Sequence, residues 1–182
     1  MTPKASKILI IDDNQAVHED YRKVLESRQG DELLNEMESM LFGGDSSNQS
    51  ETPNFNFQID SAFQGEEGLE LVKKSVADNS PYAVAFIDMR MPPGWNGIKT
   101  AKEIWKIDAN LPVVICTAYT DHSWEEIISE LPQIELLLIL KKPFDNIELK
   151  QMAASQSKLR NLIELASQAE QPNAHRSLSC SK

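Results

Sequence analysis

Four stretches of the chain are apolar almost without interruption: residues 7–12 (KILIID), 82–88 (YAVAFID), 112–117 (PVVICT) and 134–141 (IELLLILK). Runs of this length and composition predict strands whose two faces are both covered by helices. A fifth stretch, residues 54–61 (NFNFQIDS), differs. There Phe55, Phe57 and Ile59 alternate with polar residues, which predicts an edge strand with one wet face.

Helical periodicity fills the intervals. Val17, Tyr21, Val24 and Leu25 recur at helical spacing after Asn14, a natural N-cap. Gly30 and Asp31 predict a stop and a restart, after which Leu33, Leu34, Met37, Met40 and Leu41 share one face. Leu69, Val72 and Val76 mark a further helix, as do Ile98, Ala101, Ile104 and Trp105. A shorter one carries Trp124, Ile127, Ile128 and Leu131, and the last begins near Asp145 and is expected to run to about Gln171, before Pro172. Strand and helix alternating in this way predict an α/β fold with right-handed crossovers. With the second strand at an edge, the expected architecture is a flavodoxin-like, doubly wound, five-stranded parallel sheet of order 2-1-3-4-5. Residues 43–53 (GGDSSNQSETP) are polar and rich in Gly and Ser. Together with the preceding helix they form a helical and loop insertion, about 30–53, between the first helix and the second strand. The domain is therefore expected over residues 1–152, followed by an extended last helix or linker over 153–171 and a disordered tail over 172–182.

Composition changes this picture only by exclusion. A net charge of −10 argues against direct binding to nucleic acid, which needs clustered Lys and Arg. No apolar run approaches the ~18 residues that span a bilayer, and the amino terminus has no signal-peptide pattern, so no membrane association and a cytoplasmic location are expected. Cys116 lies in an apolar run and Cys180 in a polar tail, a distribution that does not build a disulfide framework. His18, His122 and His175 show no metal-ligand spacing and are read as surface residues.

The chemistry concentrates at the carboxyl ends of the predicted strands, where open α/β sheets bind ligands. The first strand ends in Asp12 and Asp13, the third in Asp88, the fourth in Thr117, and the fifth in Lys141 and Lys142. Three carboxylates on one rim repel one another unless a cation compensates. Mg²⁺ answers this, since it takes oxygen ligands and keeps waters that a phosphate oxygen can replace. A carboxylate is a competent nucleophile toward a phosphoryl group, and a metal with a lysine supplies the charge neutralisation that such a transfer needs. A threonine hydroxyl at the next strand end is placed to donate to the new phosphoryl group.

The stretches ILIIDDN, FIDMRMPPGWNG, VVICTAYT and ILKKPFD resemble, in order, the four signature regions of bacterial two-component response-regulator receiver domains. The resemblance covers roughly residues 7–152 apart from the insertion. It implies that Asp88 is the phospho-acceptor, that Asp12, Asp13, Asp88 and the backbone carbonyl of Arg90 hold Mg²⁺, and that Thr117 and Lys142 are the switch hydroxyl and the lysine of the site. Ala118 matches the small residue beside the phosphoryl group. The implied function is a phosphorylation-controlled signalling module, not an enzyme with external turnover. Its phosphodonor would be a histidine kinase or phosphotransfer protein, and its target an output domain or partner protein. A Mg²⁺-dependent phosphotransferase or phosphatase with an Asp nucleophile, and a degenerate receiver scaffold, are the alternatives. The subgroup resembled is joined to histidine kinases or diguanylate cyclases. Departures from the family are Ile139, where an aromatic residue is usual, and the long turn with Pro92, Pro93 and Trp95. Arg90 and Tyr119 replace side chains able to orient a hydrolytic water, so a slow loss of phosphate is expected. Met152, Leu159 and Ala166 recur at seven along the last helix, which makes a homodimer seam possible.

Overall fold

The computed structural model describes residues 5–26, 56–118, 127 and 129–169. Readings that fall on 27–55 (the insertion at about 30–53, and Phe55), on 119–126 and 128 (Tyr119, His122, Trp124 and Ile128) and on the tail from residue 170 lie outside the described residues. The elements are β1 (Ser6–Ile11), α1 (Gln15–Glu26), β2 (Phe57–Ala62), α2 (Gly65–Ala77), β3 (Val84–Asp88), α3 (Gly97–Trp105), β4 (Val113–Thr117), a 3₁₀ turn (Ile134–Leu136), β5 (Leu137–Lys141) and α4 (Asn146–Ala169). The five strands form one sheet in the order β2-β1-β3-β4-β5, and every pairing is parallel. This is the doubly wound arrangement expected from the apolar runs.

Two layers of core follow from the two-residue period of the strands. Leu9, Ile11, Ala85, Ile87, Val113 and Ile115 face one way, beneath Val72 of α2 and Ile98, Ala101 and Ile104 of α3. Ile8, Ile10, Val84, Phe86, Val114 and Cys116 face the other way, beneath Tyr21 and Leu25 of α1 and Leu149 and Ala153 of α4. The edge strand β2 buries Ile59 and Ala62 and leaves Gln58 exposed.

The last strand starts three residues later than expected, at Leu137. Residues 134–136 do not continue β5 backwards but wind into the 3₁₀ turn, in which the Leu136 amide donates to the Gln133 carbonyl. Apolar content there reflects burial of Leu136 rather than pairing; Ile134 is 46% exposed. Short apolar runs do not distinguish the two.

Local signals explain how the helices start. The Asn14 side chain accepts from the Ala16 amide at 3.0 Å, the predicted cap. Asn96 caps α3 by accepting from the Lys99 amide at 2.8 Å. At α4, Asp145 accepts from the Ile147 amide while Glu148 reaches back to the Asp145 amide at 3.0 Å, a reciprocal box. Helix α4 stays against the body well beyond its first turns: Gln156, Ser157 and Arg160 are all buried. Arg160 Nη1 donates to Asp108 Oδ1 at 2.8 Å, with both side chains 8% exposed.

Candidate phosphoryl site

Parallel register brings the rim residues together. Because Ile11 pairs with Ile87, Asp12 leaves the sheet beside the end of β3, and Asp88 pairs with Cys116, one residue before Thr117. Thr117 pairs with Lys141, and the Lys142 amide donates to the Thr117 carbonyl at 2.8 Å. Lys142 then turns inward over the rim. Its ammonium lies 2.6 Å from Asp88 Oδ1 and 2.8 Å from Asp12 Oδ2. Asp12 and Asp88, 130 and 54 positions before Lys142, thus share one cation. Lys141, the alternative, is exposed.

The remaining polar atoms of the two acids are also held. Asp88 Oδ2 accepts from the Arg90 amide at 2.7 Å, and Asp12 Oδ1 accepts from the Asn14 amide at 2.9 Å. Burial raises the pKa of Asp88; Lys142 and the Arg90 amide pull it down without cancelling that effect, and Asp12 adds to it. Lys142 is pulled down by burial, but its bonds to Asp12 and Asp88 outweigh this and place it at about 12. The site is therefore a lysine ammonium between two carboxylates, one of which is costly to ionise without that cation.

The other expected participants are placed less tightly. Asp13 is exposed at the mouth, and among the described residues no three acidic, His or Cys side chains stand together as a ready metal cage. Thr117 is 9% exposed, and its hydroxyl donates to the Ala118 carbonyl at 2.9 Å. Arg90 is exposed on the loop after β3. That loop is seated by Gly97, whose amide donates to the Met89 carbonyl at 3.0 Å; a Cβ at this position would stand 2.7 Å from the Asp88 carbonyl oxygen. Trp95 is half-buried, with the Lys99 ammonium 4.5 Å above its ring. Ile139 is half-buried and packs on the core.

One expectation is overturned. His18 is not a surface residue: it is 3% exposed, and its Nε2 lies 2.7 Å from the Asp12 carbonyl oxygen. Its ring meets Phe63 at 4.7 Å between centroids. The signal was present in the chain, since His18 shares the inward helical face with Tyr21 and Leu25 at spacings of three and seven. Cys116, read as a small core residue, is buried beside Tyr21, whose hydroxyl lies 3.1 Å from its sulfur.

Comparison with known proteins agrees with the fold. A family profile described as response regulator receiver domain matches residues 48–154, a span that contains Asp88, Thr117 and Lys142. The acidic pair precedes that span and is joined to it by the pairing of β1 with β2 and β3. The sporulation initiation phosphotransferase F of Bacillus subtilis is 32% identical over 94 residues, covering 52% of this chain and 68% of that protein. Among solved structures, an adenylate cyclase from Rhodopirellula baltica superposes with a TM-score of 0.64 at 19% identity, over 93% of this chain and 99% of that one. A response regulator receiver domain protein from Clostridium thermocellum superposes at 0.59 and 21% identity, over 87% and 98%. With most of its length matched and its sheet in the same order, the chain belongs to the response regulator receiver domain family, the phosphoryl-accepting modules of two-component signal transduction.

Proposed function

We propose that Asp88 is the residue that receives the phosphoryl group, with Lys142 as the cation that makes the transfer feasible. The observation that carries this is the Lys142 ammonium, 2.6 Å from Asp88 and 2.8 Å from Asp12. In the transfer an Asp88 carboxylate oxygen forms a bond to phosphorus. The bond from phosphorus to the donor breaks, and its electrons leave with the imidazole of a phosphohistidine or the acetate of acetyl phosphate. Lys142 neutralises negative charge that accumulates beside Asp88, and the Arg90 amide fixes the rotation of the carboxylate.

The donor set fits Mg²⁺. Asp12 and Asp88 already converge on one cationic atom, and every candidate ligand is an oxygen: the carboxylates of Asp12, Asp13 and Asp88 and the backbone carbonyl of Arg90. When bound, the ion supplies charge neutralisation for the phosphoryl oxygens. Thr117, whose hydroxyl donates to Ala118 in this state, is the group that redirects its hydrogen to the phosphoryl oxygen. Ile139 is aliphatic, so the response reaches the surface without an aromatic side chain swinging at that position. The donor is a histidine kinase or phosphotransfer protein, and the reader is an output domain or partner protein. A cyclase-type output is one candidate class, because the matched Rhodopirellula baltica structure is described as an adenylate cyclase.

The test is intact-mass measurement after incubation with Mg²⁺ and acetyl phosphate. A single phosphoryl adduct is expected in the wild type and none in Asp88→Asn. The adduct should persist well beyond seconds, because Arg90 is neither an acid nor an amide that would orient a hydrolytic water. An adduct retained in the variant overturns the assignment, and loss within seconds overturns the expected persistence.

A further inference from the structure

Asp12 is held at every polar atom. Its amide donates to the Ala62 carbonyl at 3.1 Å, Oδ1 accepts from the Asn14 amide, and Oδ2 accepts from Lys142. Its carbonyl oxygen is held by a side chain, His18, at 2.7 Å. A carbonyl only accepts, so Nε2 of His18 carries the hydrogen. The second ring nitrogen, Nδ1, is buried and has no partner among the described residues.

This arrangement is a poor choice if His18 only fills the core. A buried polar atom left without a partner costs free energy, and an aliphatic side chain would fill the same space without that cost. The ring also does not bond to the Asp12 carboxylate but to the carbonyl of the peptide that joins Asp12 to Asp13. Fixing that oxygen fixes the plane of the peptide from which the Asp13 side chain departs. It therefore sets the directions of both acids together.

We propose that His18 is a positioning residue for the acidic pair, acting through the Asp12 carbonyl to preset Asp12 and Asp13 for a divalent cation. The inference rests on the reading of Asp12 and Asp13 as Mg²⁺ ligands. Partners that orient metal ligands without touching the metal typically change affinity by roughly 10–100-fold when removed.

The experiment is calorimetric titration of the unphosphorylated full chain with Mg²⁺, in the wild type and in His18→Leu, His18→Asn and His18→Gln. Glutamine keeps a donor at a similar reach, asparagine keeps the amide but is too short, and leucine keeps only the bulk. His18→Leu and His18→Asn should weaken Mg²⁺ binding by roughly 10–100-fold, and His18→Gln should return it to within a few-fold of the wild type. At saturating Mg²⁺ the acetyl phosphate reaction of His18→Asn should recover the wild-type rate, because the loss lies in affinity and not in transfer. A purely structural role would lower the melting temperature in all three variants without this split. Wild-type affinity in His18→Leu or His18→Asn, or equal weakening in His18→Gln, overturns the inference. A wild type that binds no Mg²⁺ overturns the underlying reading of the site, and the inference with it.

Discussion

Lys142 is shared by two carboxylates, one buried and one partly so, and its loss would leave both without compensation. Lys142→Met should therefore slow phosphorylation by acetyl phosphate by on the order of 10²-fold, the scale on which one charge-stabilising donor acts. Stopped reactions followed by intact mass check this; a rate within threefold of the wild type would contradict it. Cys116 gives a prediction about pH. Burial is the main cause that pushes its thiol up from 9.0 to about 12, against the bond from Tyr21, which lowers it. A group whose folded pKa lies above its unfolded value contributes stability that is complete below the unfolded value and is lost as pH rises through the folded one. Stability should thus fall from about pH 9 upward through about 12, and Lys142, raised from 10.5 to about 12, acts in the same direction over the upper part of that interval. Urea melts between pH 8 and 10.5 should show a shallower decline for Cys116→Ala than for the wild type. Equal slopes would remove Cys116 as the cause.

Elements meet here through a few contacts that tolerate little change. The start of α3 is pressed against the end of β3, and the hydrogen of Gly97 faces the Asp88 carbonyl. Gly97→Ala should cost about 1–3 kcal/mol, since neither backbone can yield without moving Asp88. Denaturant melts measure that loss, and a neutral outcome would show that α3 slides freely on β3. At the other end of the molecule, Arg160 of α4 and Asp108 of the α3–β4 connection form a buried pair, extended by the Arg160–Glu164 contact at 2.8 Å. Removing one partner strands the other, so Arg160→Ala should destabilise by about 3–5 kcal/mol. Replacing both with apolar residues of similar volume, Asp108→Leu with Arg160→Met, should recover most of it. A double variant as unstable as the single one would mean that packing, not charge, is lost. Beyond Arg160 the outer face of α4 exposes Leu162 (52%) and Leu165 (61%), while Leu159 and Ile163 on its inner face pack against the core.

On the scale of the whole molecule, divalent cation and fold should be linked. At a free Mg²⁺ concentration of about 100 Kd the native state gains about 2.7 kcal/mol, a rise in melting temperature that EDTA should reverse and that Asp88→Asn should diminish. A melting temperature indifferent to Mg²⁺ would contradict the proposed ligand set. Most of this architecture was legible in the chain. Near-continuous apolar runs that end at or just before Asp12, Asp88, Thr117 and Lys142 mark both the strands and the rim, because a strand covered on both faces buries its middle and carries polar groups only at its end. The extension of β5 back through residues 134–136 was misread, because an apolar stretch reports burial and not hydrogen-bond pattern. His18 was misread for a related reason: a lone polar residue on an inward helical face declares its burial, but its partner lies on the main chain, where no side-chain motif marks it. The sequence by itself determined the sheet, its edge strand and the set of groups that reach the rim, since these depend on periodicity and on which residues terminate each run. Only the tertiary structure decided that Asp12 and Asp88 share the Lys142 ammonium while Asp13 stays at the mouth, and that α4 is pinned by Arg160 to Asp108. Those outcomes depend on distances between residues far apart along the chain, which are set by parallel register and helix packing rather than by local pattern.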